Sequence, residues 1–253
     1  MSNLPGIPKV NEFPEGSGFE RPEHMGLETA QESTKQLFND WAKQSEVPRR
    51  SDVSDDGREV VIIGDVEKFK DYNHEQGQNE FGFLGTCGLV SCEDILKQFG
   101  KKVTENDIVK YAIDHHFCWT EPPRGEQGGT TVNDQVAILQ GHGVPAASER
   151  GLSLDDLAAR VEAGKGVITE VNAYVLWDKR LAPRFYKDAN HAIVVTGVQR
   201  DAKTGKIDGF FINDSGNFDH GNGSGRFVDA KKFQKMWVDV GGTAVVTRQP
   251  VPR

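Results

Sequence analysis

Hydrophobic positions fall in two different rhythms along this chain. From residue 87 to residue 164 they recur at helical spacing, in four stretches bounded by Gly100, Gly141 and Gly164. The first, over 87–99, follows a glycine-bearing loop and stops at Gly100. Thr104-Glu105-Asn106-Asp107 has the form of a capping box and opens a second helix that reaches about His115. Gly128-Gly129-Thr130-Thr131 leads into a third that ends near Gly141, and Ser153-Leu154-Asp155-Asp156 opens a fourth. From Val167 the rhythm becomes that of strands, at 167–172, 191–198, 207–213 and 242–247, with a short helix at 229–237 among them. Val60–Ile63 adds one short strand ahead of the helices. Helices first and strands afterwards predict an α+β domain with an antiparallel sheet.

The first 58 residues follow neither rhythm for long. Pro5, Pro8, Pro14 and Pro22 punctuate a polar head, and only Leu27, Ala30, Thr34, Leu37, Phe38 and Trp41 recur at helical spacing. The pattern predicts one amphipathic helix over about 27–44. Arg49–Arg58 is charged and turn-rich, and reads as a linker. The division that follows is a polar leader or linker over 1–58 and a folded domain over 59–253. The leader is either a docking or pro-segment or a plain polar extension.

Composition narrows the function classes. Hydrophobic residues make up 36% of 253 positions and the mean hydropathy is −0.54, low enough that part of the chain is expected to stay unpacked. A net charge of −8 argues against a nucleic-acid or anionic-membrane footprint. No apolar run approaches the roughly 18 residues of a membrane span. The N-terminus has no charged-then-apolar signal pattern, so synthesis in the cytoplasm is the expectation, with export by a signal-independent route left open. Three cysteines with no paired spacing fit free thiols better than disulfides or structural zinc. No cofactor or metal is called for.

The chemistry concentrates in three places. Gly85-Thr86-Cys87-Gly88 puts a thiol where a glycine-bearing loop becomes a helix, with Thr86 as the N-cap. There the unsatisfied N–H groups and the positive end of the helix dipole favour a thiolate, the nucleophilic form. Asn190-His191-Ala192 opens a strand, and Ile212-Asn213-Asp214 closes its partner. A turn centred between residues 202 and 203 sets His191 directly opposite Asp214, with Cβ atoms about 5 Å apart. A carboxylate so placed fixes the imidazole's tautomer and stabilises its cation. A slip of one residue would pair Asp214 with Ala192 instead.

Other groups carry less. Cys92 points about 140° away from Cys87 on the helix and reads as a packed thiol. Cys118 beside Trp119 reads as core or loop. His115-His116 near Cys118 lacks a second ligand pair for a metal. Trp177 follows a strand and is either a cleft-lining, a rim or a core aromatic. Gly221–Gly225 lacks the Lys-Ser/Thr of a phosphate loop and reads as a mobile loop beside the Asp214 strand.

Thr86-Cys87-Gly88-Leu89, then His191 to Gly197, then Asn213-Asp214-Ser215-Gly216 resemble the papain-like cysteine peptidase superfamily over about 60–250. They are most similar to its bacterial branch, which includes the bacteriocin-processing, double-glycine-cleaving peptidases. The resemblance implies a Cys87–His191–Asp214 triad between a helical lobe and a sheet lobe. It also implies a protein or peptide substrate with small residues, Gly-Gly in kind, before the cut. Domains of this branch also serve as toxins in interbacterial competition, which would imply a cognate inhibitor or immunity protein. The family usually carries an oxyanion-hole glutamine about six residues before its cysteine, and Phe81 stands there instead. Gln78 and Gln76 are the candidates, Gln78 favoured, if Phe81–Gly85 loops out. The same thioester chemistry on a glutamine side chain would give a deamidase or transglutaminase. A silent peptide-binding domain is the reading from another class.

Overall fold

The computed structural model describes residues 47–121, 123–178, 188–216 and 223–252. The 27–44 helix lies outside them. Eight strands form one antiparallel sheet: β1 (Arg49–Val53), β2 (Glu59–Ile63), β3 (Ala146–Glu149), β4 (Lys165–Val171), β5 (His191–Asp201), β6 (Ile207–Asn213), β7 (Arg226–Asp229) and β8 (Ala244–Pro250). β5 organises it. One edge of β5 pairs with β4 through residues 191–195 and then with β2 through 198–201, while the other edge carries β6. β8 and β3 extend the sheet beyond β4, β1 beyond β2, and β7 beyond β6.

Strand alternation gives the central strands two buried faces. Ile168, Ala192, Val194 and Val245 point to one side, where they meet α2 (Cys87–Gln98), α3 (Glu105–Asp114) and α4 (Val132–Gly141) through Leu89, Ile95, Ile108 and Ile138. Val167, Ile193, Val195 and Val246 point to the other, against Leu157 and Val161 of α5 (Leu154–Glu162) and Phe233 of α7 (Ala230–Met236). Two one-turn helices, α1 (Val66–Phe69) and α6 (Ala173–Leu176), complete the set. The mixed helix and antiparallel-sheet class agrees with the sequence pattern.

The helix starts agree closely. Thr104, Thr131 and Ser153 each accept from the N3 backbone N–H while Asp107, Asp134 and Asp156 reach back, three complete capping boxes. Arg49–Val53 differs from the linker expectation: it is strand β1, paired residue by residue with β2. Its side chains are largely exposed, so it shows no alternation to read. It is an edge strand guarded by charges.

Candidate active site

Cys87 begins α2, and Thr86 occupies the N-cap. The Thr86 hydroxyl does not cap that helix, contrary to expectation. It donates to Glu105 Oε1 at 2.6 Å and accepts from the Gly77 N–H at 3.1 Å. Glu105, buried at the start of α3, also accepts from the Gly77 and Gln78 N–H groups and from Asn79 Nδ2. One carboxylate therefore ties the loop before the cysteine to two helix starts.

His191 opens β5 and is buried, as is Asp214 just past β6. The imidazole Nε2–H donates to Asp214 Oδ1 at 2.7 Å, because a carboxylate can only accept. This leaves Nδ1 as the nitrogen available to the thiol side. Directly paired residues did not produce this contact. β5 and β6 pair Arg200 with Ile207 beside the turn and Val194 with Asn213 at the far end, with two irregularities between them that offset each other, so the turn is centred one residue later than expected. Asp214 meets His191 from beyond the last ladder pair, so the expected opposition of the two is corrected while their contact stands.

The other Asp214 oxygen is also engaged. Trp177 Nε1–H donates to Oδ2 at 2.8 Å, and the Gly216 N–H donates to Oδ1 at 3.0 Å. The indole lies tilted against the imidazole, with centroids 5.0 Å apart. Gly216 must be small here, since a Cβ would fall 2.8 Å from the indole and 3.0 Å from the imidazole. Trp177 is thus settled as a cleft aromatic that holds the carboxylate. Asking what satisfies a buried aspartate's second oxygen would have pointed to it.

Electrostatics favour a charged imidazole. Burial opposes the charge on His191, but hydrogen bonds to Asp214 and Cys87 and their charges outweigh it, raising the pKa to about 10. Burial likewise opposes the Asp214 carboxylate, and His191 with Trp177 and Gly216 still holds it below the usual range. Because His191 binds its proton more tightly folded than unfolded, its contribution to stability is complete below about pH 6.5. That contribution is lost as pH rises toward about 10. Thermal melts across that window should fall more steeply for wild type than for His191→Ala; parallel curves would contradict the assignment.

Cys87, His191, Trp177 and Gln76 line one cleft of about 530 Å³. Gln76 Oε1 accepts from Ser215, and its Nε2 donates to Leu84 O at 2.7 Å, leaving the second amide hydrogen. Gln78 lies elsewhere: its side chain is exposed, and its backbone is turned to Glu105. The stretch between Gln76 and Leu84 closes on itself, Gln76 bonding the Leu84 carbonyl and Asn79 bracketing Phe83, and of the two glutamines it is Gln76 that lines the cleft with Cys87. Cys92 is buried, and burial pushes its thiol up. Cys118 is half-buried and pushed up to about 11, by burial first and then Asp134. His115 stacks on Tyr111 and bonds its carbonyl oxygen. No cluster of metal-ligating side chains exists among the described residues, and no described helix is long and apolar enough to cross a membrane.

A solved structure from Bacillus anthracis, described as that of a candidate C39-like peptidase, is similar with a TM-score of 0.50. The two sequences are 16% identical, over 72% of this chain and 97% of that one, so the likeness concerns the fold. No curated protein matches this sequence. The profile of the family described as Peptidase_C39 like matches residues 66–245, well over half of the chain and every residue of the cleft named above. This chain therefore belongs to the Peptidase_C39-like family and is a cysteine peptidase.

Proposed function

We propose that the protein is an endopeptidase in which Cys87, His191 and Asp214 act as a triad in a papain-like arrangement, with the α2 side and the sheet as the two walls of the cleft. The observation that carries this is the buried His191–Asp214 pair opening onto the same cleft as a cysteine at a helix start. His191 accepts the Cys87 thiol proton, Sγ attacks the peptide carbonyl carbon, a C–S bond forms, and the carbonyl electrons move onto oxygen. The Cys87 N–H and the free amide hydrogen of Gln76 hold that oxygen. Collapse breaks the C–N bond as His191 gives its proton to the leaving amine. Water, losing a proton to His191, then hydrolyses the thioester. Asp214 keeps the ring oriented and stabilises its cation throughout.

The resemblance adds a preference for small residues before the cut. The close glycines of the cleft wall, Gly85, Gly88 and Gly129, support narrow positions next to the thiol. It also supplies a biological setting, a toxin of interbacterial competition met by a cognate inhibitor.

The test compares wild type with Cys87→Ala in a bacterial lysate, with new protein N-termini mapped by mass spectrometry. Termini that depend on Cys87 are expected. Gains of about one dalton at glutamine, the mark of amide converted to acid by the same acyl chemistry, would replace this reading with a deamidase. Neither change, with residues 1–46 present or removed so that β1 is kept, would leave a peptide-binding domain.

A further inference from the structure

The carboxylates buried among the described residues have both oxygens engaged. Glu93 meets Lys97 and His74, Glu162 meets Arg200 through both oxygens, Asp94 meets Gln98 and Asn213, and Glu105 and Asp214 are described above. Glu170, on β4 and only partly buried, differs. Its Oε1 accepts from Gln135 Nε2 at 2.7 Å, and its Oε2 has no hydrogen-bond partner among the described residues. No lysine or arginine pairs with it there. Burial raises its pKa, with Gln135 and the charge of His191 acting against that rise.

Gln135 carries a second unmet acceptor. The residue is 1% exposed, and its Oε1 is buried with no partner among the described residues. Its Nε2 bridges Glu170 and Thr130, so the amide cannot turn to cover the deficit without breaking both contacts. Leaving a buried acceptor such as Gln135 Oε1 unpaired costs stability.

Both groups line the cleft that contains Cys87. Gln135 stands against Gly88, where a Cβ would come within 2.9 Å of its Nε2. Glu170 is the cross-strand partner of Ala192, the residue after His191. The unmet acceptors therefore lie between the two arms of the proposed thiol site.

We propose that Glu170 and Gln135 form a subsite that receives a basic side chain, lysine or arginine, from the peptide substrate. An ammonium or guanidinium offers only donors, and several of them, which matches two acceptors with no donor left to give. The aliphatic stem of such a side chain would run along the Tyr174 and Trp177 side of the cleft, where the rings also favour a cation. The small-residue preference then belongs to the positions at the glycine wall, and the basic preference to one further position. This inference rests on the endopeptidase reading.

The experiment uses peptidyl vinyl sulfones that differ at one position at a time, carrying lysine, arginine, norleucine or glutamate. The rate of Cys87 alkylation is read by intact mass for the full chain and for Glu170→Gln. At one position, lysine and arginine should react about tenfold or more faster than norleucine, the scale of a charge-assisted hydrogen bond. Glu170→Gln should remove that advantage and leave the norleucine rate within about twofold, and Gln135→Leu should reduce it in part. Equal rates for basic and neutral probes, or an advantage that survives Glu170→Gln, would overturn the subsite while the thiol site stands. If iodoacetamide itself fails to label Cys87 in the folded protein, the endopeptidase reading falls, and the subsite with it.

Discussion

Cys87→Ala and His191→Ala are each expected to reduce peptide cleavage by roughly 10⁶-fold, with the double variant no worse than either. The non-additivity is the informative part. A nucleophile and its base act as one unit, so removing either removes the step that both perform. Here the coupling is built into the site: the charge on a buried His191 is sustained by Cys87 and Asp214 together, against the penalty of burial. Two losses that multiplied would mean independent roles and would reject the pair. Asp214→Asn should cost less, about 10⁴-fold, because the ring stays in place while its tautomer is lost. Trp177→Phe removes the donor to Asp214 Oδ2 but leaves His191 and Gly216 on the other oxygen, so its effect should be smaller again.

The three triad candidates were legible because each sits at a punctuation point of the sequence. Cys87 stands at a loop-to-helix transition, His191 at the first residue of an apolar run and Asp214 at the last polar turn of another. Their contact was reached by a register argument that set the turn one residue too early: Asp201 already meets Lys206 and Arg200 meets Ile207 at the hairpin end, and the two irregularities beyond them offset each other. Moving a turn by one residue shifts the pairing by two and leaves every side chain on its face, so no pattern of apolar positions reveals it. Edge strand β1 was hidden for a related reason: its exposed, charged residues look like a linker because that is how an edge resists pairing with other chains. That Gln76 and not Gln78 lines the cleft follows from the shape of a loop held by backbone N–H groups, and those donors carry no sequence signal. Glu170 also looked ordinary, one acid within a strand pattern. Its distinction, an oxygen left without a partner, exists only once α4 is packed against β4.

Glu105 shows the same limit most sharply, and it yields the second large effect. In sequence it is an acid in the first turn of a helix, worth a fraction of a kcal/mol through the helix dipole. In the fold it is 2% exposed and accepts from four donors: two loop N–H groups, the Asn79 amide and the Thr86 hydroxyl. Glu105→Ala leaves the Gly77 N–H to Thr86 and the Asn79 amide to the Phe83 carbonyl, but it strands the Gln78 N–H and the Thr86 hydroxyl; at about 1–3 kcal/mol for each buried group left unpaired, with the weakened pair added, the cost is about 3–5 kcal/mol. For a domain of this size that corresponds to a melting temperature lower by roughly 6–20 °C. The loss should reach activity as well, measured below the melting range. The released segment carries Gln76, whose amide must face the cleft, and it borders the first turn of α2, whose Cys87 N–H is the other proposed oxyanion donor. Both donors act on charge that develops only as the carbonyl is attacked, so kcat should fall while KM changes little. Glu105→Gln should fall between the two proteins in stability, since it keeps the shape but replaces one acceptor oxygen with an NH₂ that faces other donors. A Glu105→Ala protein that melts within a degree or two of wild type would mean that water replaces the carboxylate at little cost. An unchanged kcat would mean that the loop holds Gln76 without help from Glu105, through Ser215 and Leu84 alone.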